Sequence, residues 1–260
     1  MKSSWQIGRI AGIPLQFHWS FLLVGLWLLY DSWQPGGGIR WDNLQWLLIW
    51  VVTVFLAVLL HELGHALAAQ YWKIKTQKIV LYPIGGGAFL ERMPEEPQQE
   101  ITIALAGPAV NFLLAAILIP FIWWSGNENL PLLIQLFLNP KGNIIVFDAA
   151  TWEYLIVVFF LLNLLLGAFN LIPAFPLDGG RVLRAMLSKY FSRTRATIIA
   201  GRVGMIGAII LLVAALFLSD IVFAVGAIFV FALAWIEIRV RGRREGLANG
   251  VVGDCLAGGL

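Results

Sequence analysis

The sequence predicts an all-α polytopic membrane protein, with about six transmembrane helices and a small membrane-associated β-hairpin region. Three observations carry that prediction. The chain is 60% hydrophobic and 13% charged, about half the charged fraction of an ordinary soluble domain. Its mean hydropathy is +0.82, and the apolar residues fall in long blocks near the ~20 residues a helix needs to cross hydrocarbon. Sixteen of the 18 Lys and Arg then fall on one side of the predicted bilayer, with only Arg40 and Lys141 on the other. The positive-inside rule makes that the cytoplasmic side and puts both termini there.

The spans follow in order. The first is about Ile13–Tyr30, the second Leu44–Trp72, the third Ile101–Trp124 and the fourth Trp152–Ile172. The fifth, Ile198–Leu218, and the sixth, Ile221–Trp235 with room to extend to Ile238, are separated by Ser219-Asp220 and should form a tight hairpin. Most of the twelve Trp lie near predicted interfaces, as aromatic belts do. The charge asymmetry accounts for the basic balance without nucleic acid. A single cysteine, Cys255, offers neither an internal disulfide nor a cysteine metal cluster.

Two segments are neither span nor simple loop. Residues 76–92 alternate around Pro83 and Gly85-Gly86-Gly87 as a hairpin does, next to the end of the second span. Residues 125–150 form an outside loop whose apolar stretch, Leu130–Leu138, contains Pro131 and is too short to cross. Residues 1–240 read as one core domain. Residues 241–260 read as a short cytoplasmic tail or a truncated join to a regulatory domain.

The chemistry concentrates in the second span, which carries no charged side chain from Leu44 until Glu62, in His61-Glu62-Leu63-Gly64-His65. On a helix, His61 and His65 project from one face at adjacent turns. That geometry suits two imidazoles on one Zn²⁺, with Glu62 activating a water. A carboxylate at bilayer depth costs a few kcal/mol, so an intramembrane Glu flanked by two His reads as functional; the bland alternative is a polar cluster binding another helix. Catalytic zinc usually has a third protein ligand. Glu95, Glu96 and Glu100 fall in a polar linker, and Glu128, Asp148 and Glu153 fall outside. Asp178 follows the fourth span within Asn170-Leu171-Ile172-Pro173-Ala174-Phe175-Pro176-Leu177-Asp178-Gly179-Gly180, on the histidines' side. The prolines should break the helix and the Gly pair should permit a tight backbone turn.

HELGH together with NLIPAFPLDGGR resembles the site-2 protease family of intramembrane zinc metalloproteases. Pro83-Ile84-Gly85-Gly86-Gly87, Gly107-Pro108-Ala109-Val110-Asn111 and the Gly12-Ile13-Pro14 approach to His18-Trp19-Ser20 are similar to further family elements. The resemblance covers about residues 8–240. It implies one zinc per chain on His61, His65 and Asp178, with Glu62 as general base and acid. It also suggests Asn170 as an oxyanion donor and Gly85, Gly86 and Gly87 as a strand that receives an unwound substrate. The implied substrates are single-span membrane proteins, such as membrane-tethered transcription regulators or anti-sigma factors. The other reading of the same residues is a non-enzymatic metal carrier or channel. Asn111 reads more simply as an asparagine bonding another helix, and His18 as an interfacial histidine.

Overall fold

The first predicted span divides into two kinds of structure. In the computed structural model, which describes residues 4–83, 85–94, 96–124, 152–217 and 224–239, Ile13–His18 is a strand (β2), and helix α1 begins only at Phe21. Pro14 has no N–H to donate to a helix. The buried Ile13 and Leu15 alternate with less buried neighbours, which is strand periodicity. Helix α1, Phe21–Ser32, is 12 residues, about 18 Å long and well short of the hydrocarbon thickness.

Two compact units share the chain. One contains Met1–Arg92 and Ala106–Ala168; the other contains Met93–Leu105 and Phe169–Leu260.

In the first unit, β1 (Ser4–Ile10) pairs antiparallel with β2 through a turn at Ala11-Gly12, both at positive φ. After α1, a two-residue pair, β3 (Trp33–Gln34) and β4 (Gly38–Ile39), leads into α2 (Trp41–Tyr71), which is 31 residues long. The predicted hairpin follows as β5 (Thr76–Tyr82) and β6 (Gly85–Leu90). It is half of a larger sheet, ordered β1-β2-β5-β6, because β5 also pairs in parallel with β2. A parallel pair requires a long crossover, here supplied by α1 and α2. The sheet packs on α2 through Ile13, Leu15, Ala66, Ile79 and Leu81, with Val58, Leu59 and Leu63 against them. These contacts surround the turn of α2 that holds His61, Glu62 and His65. A second cluster, Val157 and Val158 with Trp46, Trp50 and Ile122, ties α2 to α3 (Pro97–Trp124) and α4 (Trp152–Asn170).

In the second unit, the backbone breaks over residues 171–177, and α5 (Asp178–Leu187) follows. Helix α6 (Arg193–Phe217) and the helix of residues 224–239 (α7) complete it. Glycines set the close contacts. A Cβ on Gly179 would strike the carbonyl oxygens of Leu171 and Ile172, and one on Gly180 would lie 2.5 Å from Phe175 N. The sequence reading placed this pair in a turn. Both instead occupy the first turn of α5, where the returning chain leaves no room for a side chain. Glu100 also departs from expectation. It belongs to α3, is 3% exposed, and is ion-paired with Arg184 and Arg193 rather than lying in a solvated linker.

Among the described residues, three helices are long and apolar enough to cross a membrane: Trp41–Tyr71, Pro97–Trp124 and Arg193–Phe217. Phe21–Ser32 and Leu155–Asn170 are shorter apolar helices. The fold is thus mostly helical with small sheets. The outside loop of residues 125–150, the Ser219-Asp220 hairpin, Cys255 and the tail of residues 241–260 lie outside the described residues.

Candidate active site

An i, i+4 pair on α2 brings the two imidazoles together. Their Nε2 atoms lie 3.1 Å apart, with the rings nearly perpendicular at 87°. Each histidine is 4% exposed. A tetrahedral zinc with bonds of about 2.0–2.1 Å would separate two ligand nitrogens by about 3.3–3.4 Å. The observed spacing therefore fits two ligands converging on one zinc-sized cation.

The rings are accommodated and held by α3. A Cβ on Gly107 would collide with the His65 imidazole and stand 2.8 Å from His61 Nε2, so only glycine fits there. One turn later, Asn111 Oδ1 lies 2.5 Å from His61 Nδ1. Asn111 Nδ2 donates to Asn163 Oδ1 on α4 at 2.8 Å. Both asparagines are fully buried. The Gly107-Pro108-Ala109-Val110-Asn111 element thus supplies space at one end and a hydrogen bond at the other. Sequence reasoning favoured a purely structural Asn111 and did not single out Asn163. The available signal was an i, i+4 Gly–Asn spacing on an apolar helix.

Glu62 is fixed from the opposite side. Its Oε2 accepts a hydrogen bond from the Ala88 N–H of β6 at 2.9 Å. The strand comes so close that a Cβ on Gly86 would lie 2.6 Å from Glu62 Cγ and 3.0 Å from Oε1. The triple glycine is therefore more than a turn: Gly86 permits backbone to reach the carboxylate. Gly85, at φ 149°, opens the strand, and Gly87 has only an ordinary contact with Phe89.

In the second unit, Asn170 ends α4 and Asp178 starts α5, so the two bracket the broken segment. Asp178 is 7% exposed and pairs with Arg181 at 3.3 Å. The N-terminal turn of a helix favours a carboxylate. The helix bearing it is anchored further along, where Arg184 bonds Glu100, faces Glu237 at 3.6 Å and stacks 5.0 Å over Phe175. His18 hydrogen-bonds Ser20 and lies beside the Tyr82 ring, a partnered edge position.

Comparison with known proteins identifies the family. Residues 49–214 match peptidase family M50. The chain is 34% identical over 241 residues to a zinc metalloprotease of Methanocaldococcus jannaschii, covering 92% of this chain and 62% of that protein. It is 32% identical to Rip3 of Mycobacterium tuberculosis over 247 residues, 90% of this chain and 57% of that one. The chain thus spans about three fifths of the length of these relatives. The solved site-2 protease from Methanocaldococcus jannaschii superposes with a TM-score of 0.61 at 33% identity, over 90% of this chain and 95% of that one. With a paired-histidine helix of the expected kind inside the matched region, the chain belongs to peptidase family M50, the site-2 protease family of zinc metalloproteases.

Proposed function

We propose that this chain is an intramembrane zinc endopeptidase that cleaves transmembrane segments of single-span membrane proteins. The observation that carries the reading is the His61–His65 pair, with Nε2 atoms 3.1 Å apart and Glu62 beside them, on a 31-residue apolar helix. Asp178 supplies the third ligand. His61, His65 and Asp178 are each buried, and two imidazoles with one carboxylate are a zinc hydrolase combination. Zinc bound there would polarise the scissile carbonyl and bring the pKa of its water to near neutrality.

The remaining chemistry belongs to the protein. Glu62 takes a proton from the attacking water as its oxygen bonds to the carbonyl carbon. It returns the proton to the amide nitrogen as the C–N bond breaks, leaving a carboxylic acid and an amine. The Ala88 N–H holds one carboxylate oxygen of Glu62, which restricts the side chain to one orientation. Asn170 is the donor assigned to the developing oxyanion, a contact commonly worth a few kcal/mol.

A transmembrane helix must unwind before attack, and unwound backbone in lipid needs replacement hydrogen-bond partners. Strand β6, carrying Gly85, Gly86 and Gly87, is the last strand in the sheet order, so an extended substrate can add beside it. Membrane-tethered transcription regulators and anti-sigma factors fit this substrate class, and no nucleic-acid contact is required. The chain lies in the bilayer as a multi-pass protein of about six spans. Both termini and the active site face the cytoplasm in this reading, which the Lys and Arg distribution supports.

The test is Glu62→Gln. Zinc content of the purified protein should be unchanged, and cleavage of a single-span substrate in liposomes should be lost. Cleavage retained by the variant would refute the mechanism. Zinc translocation into the same liposomes, unaffected by the substitution, would instead favour a metal carrier.

A further inference from the structure

We infer that the peptide carbonyl of Phe159 selects the zinc-binding tautomer of His61, relayed through Asn163 and Asn111 as two oriented amides. The inference rests on the reading of His61 and His65 as metal ligands. It assigns positioning roles to two asparagines that act through His61.

The polarity of the chain is forced from its far end. A backbone carbonyl can only accept. Phe159 O lies 2.8 Å from the Asn163 amide, which must therefore present Nδ2. Asn163 Oδ1 then faces Asn111 and requires Nδ2 from it, at 2.8 Å. Asn111 Oδ1 is left to face His61 Nδ1 at 2.5 Å. An acceptor at that distance fixes the proton on Nδ1, which makes Nε2 the lone-pair nitrogen of the ring. Nε2 is the atom that approaches His65 Nε2. Reversing any amide would set donor against donor or acceptor against acceptor in a buried site.

The packing shows that this line is built. Helix α4 carries Gly167 one turn beyond Asn163, and a Cβ there would stand 3.3 Å from Asn111 Cβ and 3.1 Å from Phe112 Cζ. Glycine lets α4 come close enough for the amides to meet. Helix α3 uses Gly107 and Asn111 one turn apart, the first clearing space beside the imidazoles and the second holding one of them. Helix association alone needs only that the two amides meet. Orienting a ligand needs, in addition, an acceptor set against His61 Nδ1, which is what this polarity delivers.

The experiment measures zinc affinity of the full chain in detergent by chelator competition, the visible spectrum of the Co²⁺-loaded protein, and the melting temperature of the metal-free form. Asn111→Leu should lower zinc affinity about 10–100-fold, the usual cost of losing a hydrogen bond to a metal-ligating histidine. Asn163→Leu, which leaves Asn111 able to rotate its amide, should also weaken zinc binding and alter the Co²⁺ spectrum. Asn111→Asp keeps an acceptor toward Nδ1 whichever way it turns, but sets its second oxygen against Asn163 Oδ1. In that background Asn163→Leu removes the clash and is no longer needed to orient residue 111, so the double variant should bind zinc at least as tightly as Asn111→Asp alone.

If Asn111→Leu and Asn163→Leu bind zinc like the parent and only melt earlier, the asparagines are helix contacts and the inference is overturned. An equal loss from Asn163→Leu in the parent and Asn111→Asp backgrounds would overturn it too. A parent chain that binds no zinc would instead refute the ligand reading on which it rests.

Discussion

Adding a single methyl group at Gly86 should disable catalysis while leaving zinc in place. In Gly86→Ala the new Cβ would start 2.6 Å from Glu62 Cγ, 3.0 Å from Glu62 Oε1 and 3.0 Å from Val58 Cγ1. Carbon–carbon contacts relax at about 3.5–4.0 Å, so the strand or the carboxylate must give by roughly 0.9–1.4 Å. Glu62 cannot yield cheaply. It is 9% exposed, its nearest atom is the backbone-proximal Cγ, and its Oε2 is held by Ala88 N–H. A displacement of about 1 Å from reacting geometry costs on the order of 100-fold in rate, equivalent to about 2.7 kcal/mol of barrier. The nearest atoms to that Cβ belong to Glu62 and Val58, so the histidines and the zinc content should be unaffected.

Neighbouring glycines supply the controls. Gly87→Ala meets only Phe89 Cε2 at 3.7 Å, an ordinary contact, and should cleave like the parent. Gly85→Ala meets nothing within 4 Å but sits at φ 149°, so it should cost stability of about 1–3 kcal/mol without reaching Glu62. Turnover of a single-span substrate in liposomes, alongside zinc content, reads all three. Full activity in Gly86→Ala would refute the close approach of β6 to the Glu62 carboxylate. Equal damage from Gly87→Ala would mean that strand pairing, rather than the contact with Glu62, was responsible.

Two further substitutions separate the histidine pocket from the scaffold. Gly107→Ala puts a methyl group into both imidazoles, so purified protein should lose bound zinc; normal zinc occupancy would contradict the packing of α3 on the pair. Arg184→Leu leaves Glu100, 4% exposed at its side chain, with Arg193 as its remaining ion-pair partner, and removes the stacking on Phe175. Breaking a buried pair costs about 3–5 kcal/mol, so thermal unfolding in detergent should shift down markedly; an unchanged melting temperature would show the cluster to be solvated.

The histidine helix was legible because two signals coincide in one segment. An apolar run sets the helix, and His at i and i+4 can only share a face on that helix. The observed α2, Trp41–Tyr71, agrees with the expected Leu44–Trp72 to within a few residues. The N-terminal strands were not legible for a physical reason. The apolar run from Ile13 merges into α1, and what makes Ile13–His18 a strand is its pairing with residues 79–81, which lie beyond two intervening helices. Glu100 looked like linker charge because its partners, Arg184 and Arg193, lie more than 80 residues further on. The Asp-Gly-Gly sequence is also ordinary turn chemistry. Only the folded chain shows that Gly179 and Gly180 are inside a helix, where carbonyls of the returning segment occupy the Cβ positions.

A common physical device underlies the residues that sequence reasoning undervalued. Lipid gives helices little hydrophobic reason to associate, so close contact comes from small residues that let backbones approach. Helices α2 and α3 do this reciprocally. A Cβ on Gly64, inside HELGH, would lie 2.7 Å from Ala106 O, while the next residue of α3, Gly107, faces the imidazoles of α2. Strand β6 approaches the other side at Gly86. Two missing side chains, at Gly86 and Gly107, therefore bring backbone to the glutamate and histidine side chains, and a third, at Gly64, lets α2 and α3 approach, which makes the site asymmetric in its tolerance of change. Trimming a distant apolar residue such as Val157 would cost stability but leave these approaches intact. Adding one methyl group at residue 86 or 107 would press directly on Glu62 or on the imidazoles, and one at residue 64 would push α3 away from α2. That asymmetry is expected of a site whose precision comes from backbone proximity rather than from the volume of its core.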